Sequence, residues 1–481
     1  MLKNEAQSLQ DEAHGGPPIV CLSGMFWDEH WSSQQQLMSR LAARCRILYV
    51  ERPVSLLSFF TGISDASVGR QFWRWLKGGL RYESPTLAIL TPPPIFPLRF
   101  HPIVNRVNEW MRLRSVRRAM RALNLNAPIL WIYEPDAGRA VGRLGEAVSL
   151  YYCADDWAAA GQWWNIAQHI RAREEELALR VDLIAGTSTK IVKRWAETHP
   201  DTFLVSNGAD VESFRMARNP EIPIPEDLLR IPAPRIGYIG FVDGRFDTAL
   251  YERLTQRHPE WQWVIIGPLM EKHVDLSRLR QRKNVHFFGP RTRAELPAYL
   301  KGLDVCTIPY LSNVLTESVF PLKLFEYLGA GRPVVSTGLP ELAPFREYVQ
   351  IAPGPEEFEE GIRKSLSEPL PAASDEFLAG HSWDAKADYL WNLLIRAVQN
   401  KAGSNHGDVS RSDGETSPEM QAVNSLEHGE ISDHNAEDST LAYERPGGRD
   451  LLSPVCTDTP VAVSEGGDRS HCGFARGPHH P

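Results

Sequence analysis

Cysteine is scarce and scattered: Cys21, Cys45, Cys153, Cys306, Cys456 and Cys472 among 481 residues, with no CxxC and no paired spacing. That excludes a disulfide framework and a cysteine-built zinc site, and it points to reduced thiols in a cytoplasmic protein, four of them inside apolar runs. No run of ~18 apolar residues occurs, so no segment is expected to cross a membrane as a helix. The opening "MLKNEAQSLQDEAHGGPP" is polar and acidic, unlike a secretory leader. A basic excess is missing as well. Net charge is −8, and residues 401–481 account for it with 14 Asp/Glu against 6 Lys/Arg. The first 400 residues carry 46 charges of each sign, which argues against a general nucleic-acid binder.

What is present is a repeated α/β alternation. "PPIVCLSG" (17–24), "RILYVERP" (46–53), "TLAILTPP" (86–93), "APILWIYEP" (127–135), "AVSLYYCADDW" (147–157), "DLIAGTS" (182–188) and "TFLVSNGAD" (202–210) read as buried strands. A second series begins with "RIGYIGF" (235–241) and ends with "YVQIAPG" (348–354), after a proline-rich break near 215–234. The expected organisation is a polar lead (1–16), a Rossmann-like domain (17–215), a linker (216–234) and a second Rossmann-like domain (235–380). A C-terminal helix returning to the first domain (381–400) and a disordered acidic tail (401–481) complete it. Two such domains facing one another place ligands where their strand carboxyl ends converge.

The stretch "ESVFPLKLFEYLGAGRPVV" (317–335) is the most informative. Pro321 suits the first turn of a helix and leaves the N–H groups of Leu322, Lys323 and Leu324 outward, an anion site to which Lys323 adds a full charge. Glu326, one turn on, is placed to accept two hydroxyl hydrogen bonds from a ribose diol. The plainer reading is a solvated pair at (i, i+3). In "YIGFVDGRFD" (238–247), Gly240 and Gly244 permit close backbone approach and Arg245 can pair with phosphate oxygens, or the segment is an ordinary turn. Among the first-domain strand ends, Asp156 is the favoured acid/base group for an acceptor hydroxyl, ahead of Asp155, Glu134 and Asp136. Helix capping is the competing role for Asp136 and Asp156.

"PLKLFEYLGAGRPVVST" resembles the donor-site segment of family 4 glycosyltransferases of the GT-B fold, in the subset that carries P-x-K-x-x-E-Y. "RIGYIGFVDGRFD", "NVHFFGP…ELPAYLKGLDVCTIPY", "VSNGADVESF" and "HSWDAKA" fit in the same order. "SGMFWDEHW…LAARCRILYVERP" is similar to the opening of teichuronic-acid and exopolysaccharide glycosyltransferases. The likeness covers roughly residues 17–400. It implies that Glu326 holds the nucleotide ribose, that Leu322, Lys323 and Arg245 meet the diphosphate, and that Phe288, Gly289 and Pro290 line the base site. It also implies that Gly24, Met25 and Phe26 approach the diphosphate from the other domain. The first glutamate of the family's more familiar seven-spaced pair falls at Ser318, with Glu317 one position away; both are donor-site candidates.

The resemblance implies a transferase that moves a sugar from a nucleotide diphosphate sugar to a hydroxyl of a glycan or lipid-linked acceptor, with retention. It implies no obligatory metal and no cofactor beyond the donor. A nucleotide-sugar epimerase of the same shape and a non-catalytic nucleotide-sugar-binding protein are the rival readings. Residues 70–121 hold 11 Lys/Arg against Glu83 and Glu109, interleaved with aromatics. They suit peripheral contact with the inner face of a membrane, or form a solvated face over a packed aromatic stripe.

Overall fold

Short runs of branched and aromatic residues set the architecture. "IVCL", "ILYV" and "ILWI" lack polar alternation, so strands made from them need cover on both faces. The computed structural model describes residues 15–29, 31–60, 66–97, 101–156 and 167–404; the expected tail lies outside them beyond residue 404. Eight strands form the first sheet: β1 (Ile19–Leu22), β2 (Ile47–Val50), β3 (Leu80–Tyr82), β4 (Leu87–Leu90), β5 (Ile129–Ile132), β6 (Val148–Cys153), β7 (Leu183–Gly186) and β8 (Thr202–Leu204). Their order is β3-β4-β2-β1-β5-β6-β7-β8. All neighbours are parallel except β3 and β4, which pair antiparallel. That three-residue edge strand was not singled out in the sequence. Ile19 stands level with Ile47 and Ile129. Alternate residues of β1 enter opposite core layers, Ile19 and Cys21 on one side and Val20 and Leu22 on the other.

The second sheet contains β9 (Arg235–Ile239), β10 (Gln262–Ile266), β11 (Val285–Gly289), β12 (Val305–Ile308), β13 (Val334–Thr337) and β14 (Val349–Ala352). It is parallel throughout, in the order β11-β10-β9-β12-β13-β14. In each sheet the order reverses beside the first strand, between β1 and β5 and between β9 and β12. Successive connections leave such a point in opposite directions and open a crevice at the strand carboxyl ends.

The helices used below are α1 (Ser33–Leu41), α2 (Ala66–Leu76), α3 (Pro102–Ala122), α4 (Ala167–Ala178), α5 (Thr189–Ala196), α6 (Thr248–Arg257), α7 (Lys323–Gly329) and α8 (Trp383–Ser404). On α8, Trp383, Ala387, Leu390 and Leu394 make one apolar stripe that enters the core layer of Ile19 and Trp131. The last helix therefore packs on the first lobe although it follows the second in sequence. Arg40 Nε to Asp384 at 3.0 Å and Lys401 Nζ to Asp182 at 2.7 Å flank that stripe. The lobes also touch directly. The Thr189 N–H donates to Glu341 at 2.9 Å, Lys190 Nζ reaches Glu317 at 2.7 Å, and Leu322 packs on the first-lobe core.

Candidate active site

At the second-lobe switch point, the loop after β9 and the exit of β12 are laced together. The N–H of Leu311 donates to the Arg245 carbonyl at 2.8 Å, and that of Asp247 to the Pro309 carbonyl at 2.8 Å. This lacing brings Tyr310 between the two predicted cations. Lys323 Nζ donates to the Tyr310 hydroxyl at 2.9 Å, and the Arg245 guanidinium lies 5.5 Å from the Tyr310 ring centre. Burial opposes ionisation of that phenol, yet Lys323 and Arg245 together hold it below its usual pKa. Arg245 is not free. Its Nε donates to Asp243 at 3.0 Å and its Nη2 at 2.6 Å, a fork that fixes the plane of the guanidinium.

The backbone of Gly240 makes room for the lysine. Its φ is +145°, and a Cβ there would lie 2.6 Å from Lys323 Nζ. Gly240→Ala is expected to displace the ammonium and to add backbone strain of about 1–3 kcal/mol. Donor affinity should fall at least roughly tenfold, the loss expected when a charged hydrogen bond is misplaced; calorimetric titration with the nucleotide checks this.

Helix α7 starts at Lys323, and the Leu324 N–H already donates to the Pro321 carbonyl at 3.1 Å. Of the three N–H groups expected to point outward, this one is engaged. With only seven residues in the helix, the positive charge here comes chiefly from the side chains. Glu326 sits one turn further, half-buried, its carboxylate without a hydrogen-bond partner among the described residues. Burial raises its pKa, Arg293 and Lys323 pull it down, and Asp210 pushes it up. Arg293 in turn pairs with Asp210 at 3.3 Å. Neither Arg293 nor Asp210 was picked out from the sequence; Asp210, at the end of "VSNGAD", was the visible signal. Gly289, at φ +65°, turns the loop after β11, where the Phe288 ring packs on Tyr299 with centres 5.8 Å apart.

Across the crevice, the first-lobe loop after β1 is held from below. Ser32 caps α1, and Gln35 returns to the Ser32 N–H at 3.0 Å, a reciprocal capping box. Gln35 also donates to the Phe26 carbonyl at 3.1 Å, while Gln34 bonds the Ser23 hydroxyl. The "SSQQQ" run thus fastens the Gly24–Met25 turn to α1. A Cβ on Gly24 would lie 3.1 Å from Cγ of Glu134, whose carboxylate takes a hydrogen bond from Arg112 at 3.2 Å.

The two neighbouring aspartates part company. Asp156 faces Arg194 at 3.5 Å, beside the buried Glu174. Asp155 is the one that senses Arg245 of the other lobe. Surrounding protein raises its pKa to about 6, Arg245 works against that, and Asp156 adds to it. Asp155 is exposed, so this upward push is weaker than full burial would give. Asp136 lies near His169 and Arg173 within its own lobe. Glu317 is engaged by Lys190, and Ser318 is buried with its hydroxyl unpartnered among the described residues. Arg245, Lys323, Glu326 and Gly240 therefore come together, whereas Glu317, Ser318 and Asp156 have other surroundings.

Residues 241–368 match the family described as Glycosyl transferases group 1. This stretch is a group 1 glycosyl transferase domain. It holds Arg245, Phe288, Gly289, Pro290, Leu322, Lys323 and Glu326, while Gly24, Met25 and both aspartates lie outside it. Over 270 residues the chain is 27% identical to TuaH of Bacillus subtilis (strain 168), named for teichuronic acid biosynthesis as a glycosyltransferase. That match covers 53% of this chain and 66% of the relative, just under two thirds of its length. Among solved structures, sucrose-phosphate synthase from Thermosynechococcus elongatus superposes with a TM-score of 0.52 at 16% identity, over 81% of this chain and 99% of that one. HepE from Anabaena in complex with UDP-glucose gives 0.51 at 12%, over 82% and 100%. The catalytic domain of starch synthase IV from Arabidopsis thaliana, bound to ADP and acarbose, gives 0.52 at 9%, over 80% and 99%. At these identities the likeness is one of fold. The group 1 domain is the second lobe of a GT-B architecture.

Proposed function

We propose that the protein is a glycosyltransferase that moves a sugar from a nucleoside diphosphate sugar to a hydroxyl of a glycan or lipid-linked acceptor, with retention at the anomeric carbon. The observation that carries this is the convergence of Lys323 and Arg245 on Tyr310, one helical turn from the Glu326 carboxylate, which has no hydrogen-bond partner among the described residues. In this reading the two cations take the diphosphate and Glu326 takes the ribose hydroxyls. When the C1–O bond to phosphate breaks, the electron pair goes to the diphosphate, and fixed cations stabilise that developing charge without reorganising. The acceptor oxygen bonds to C1 and its proton passes to the departing diphosphate or to the Asp155 carboxylate. Leu322 and the Phe288–Pro290 loop supply apolar and backbone surface around the nucleotide. The residues favour a side-chain clamp on the diphosphate, and no obligatory metal enters the proposal.

A panel of UDP-, GDP- and dTDP-sugars, read first by thermal shift and then by nucleoside diphosphate release with and without acceptors, tests this. Donor conversion without acceptor would favour the epimerase. Donor binding with no transfer to any acceptor would favour the binding protein. Product anomer, read by NMR, tests retention.

Asp155 gives a pH signature. Its folded pKa lies above the ordinary aspartate value, so its stability contribution is fully present below about pH 4 and fades as pH rises through about 6. Because Asp155 is exposed and solvent screens the shift, Asp155→Asn is expected to melt only slightly above the parent at pH 7 and to converge with it at pH near 4. If Asp155 helps remove the acceptor proton, kcat/KM of the parent rises through that same window, and the Asn variant loses the rise. Asp156→Asn, set against Arg194, should keep the rise.

A further inference from the structure

We infer that the rim of the first lobe formed by α2 and α3 is a docking surface for an anionic lipid bilayer. Ile103, Val107 and Trp110 follow one another along one face of α3, and Ile103 and Trp110 are 66% and 60% exposed. Trp73 and Leu76 stand out from α2, Trp73 at 62%. Phe96 is also exposed and is tied to α3 through hydrogen bonds between its backbone and Asn108 at 2.8 and 3.2 Å. The segment 91–96 joins the two helices, Thr91 bonding Gln71 of α2 at 3.3 Å and Phe96 bonding Asn108 of α3, so these exposed apolar groups border one surface, and groups of this size mark a contact surface.

The charge around them commits the surface to one partner. Beyond Trp110, α3 turns Arg114, Arg117, Arg118 and Arg121 to solvent, with Arg106 beside Val107; Arg70 and Lys77 do the same at α2. The carboxylate of α3, Glu109, is neutralised by Arg139 at 3.0 Å. Asp28 is taken up by Arg74 and by Arg81, the latter at 2.9 Å. Glu83 stays exposed. Tryptophan with a large excess of exposed arginine over exposed carboxylate fits the headgroup layer of an anionic membrane. No helix among the described residues is long and apolar enough to cross one, so this contact is peripheral.

Position supports the assignment. α3 runs antiparallel to its strands, so its apolar N-terminal half lies towards their carboxyl ends, and Arg112 from its middle reaches Glu134 beside Gly24. A bilayer on this rim lies next to the crevice, where a lipid-linked acceptor would enter. The purpose of the surface rests on the transferase reading, but vesicle binding is measured without it.

The test is sedimentation of the full chain with phosphatidylcholine vesicles, with and without phosphatidylglycerol. The protein is expected to bind the anionic vesicles, to leave them as salt rises, and to ignore the neutral ones. The double variant Trp73→Ser, Trp110→Ser and the double variant Arg106→Glu, Arg114→Glu should each lower the partition coefficient at least roughly tenfold, with nucleotide binding and melting temperature unchanged. Equal partition of parent and variants overturns the inference. So does a dimer in sedimentation equilibrium that the tryptophan substitutions dissociate, or binding of duplex DNA that the arginine substitutions abolish while vesicle binding persists. Vesicle binding with no sugar transfer would leave this surface in place and remove only the transferase reading.

Discussion

Glu326→Ala is expected to raise the KM for the donor about 100-fold and to leave the melting temperature within experimental error. Two hydrogen bonds from ribose hydroxyls to a carboxylate carry roughly 1.5–3 kcal/mol each, and their partial overlap sets the lower end of the combined loss. The fold tolerates the change because the carboxylate holds no hydrogen bond among the described residues. Arg293, the cation that pulls hardest on its pKa, keeps Asp210 as a partner at 3.3 Å. Initial-rate kinetics at varied donor, paired with thermal melts, check both halves. A variant with an ordinary donor KM would remove the ribose contact from the account.

Lys323→Ala has the larger expected effect on turnover. A fixed cation aimed at charge that appears only in the transition state contributes roughly 3–4 kcal/mol, so kcat should drop by a factor on the order of 10²–10³, with a smaller change in KM. The vacated amine also leaves Tyr310 without its 2.9 Å donor, and the phenol pKa should move back up, visible in an ultraviolet pH titration. Lys323→Arg should not restore turnover, because the lysine end lies against the Gly240 backbone and a planar guanidinium does not fit there. Arg245→Ala is the less clean experiment. It strands the Asp243 carboxylate, so a fall in rate would be mixed with a fall in stability.

Thirteen of the fourteen strands were legible because they are short, mainly apolar runs bounded by turn chemistry, and the sheets emerged where those runs lie; the three-residue edge strand β3, LRY, carries no such run. Lys323, Glu326, Gly240 and Arg245 were legible too, since they occupy loops and helix starts that follow such strands. Three features were hidden for a common reason, which is distance along the chain. Tyr310 meets Lys323 and Arg245 only because β12 pairs with β9. Arg293 reaches Glu326 with Asp210 from a third segment. The choice between Asp155 and Asp156 depends on which of the two feels the charge of Arg245, far along the chain in the other lobe, and local pattern does not encode that. Glu317 and Ser318 failed to join the cationic cluster for a local reason: a 3-10 turn over Thr316–Ser318 directs one to Lys190 and buries the other.

The most direct measurement is a calorimetric comparison of the best-binding ribonucleoside diphosphate with its 2′,3′-dideoxy form, on the parent and on Glu326→Ala. The parent should prefer the ribose form by at least roughly tenfold, and the variant should bind both forms alike. An undiminished ribose preference in the variant would contradict the assignment of Glu326, and with it the orientation of the donor against Lys323 and Arg245.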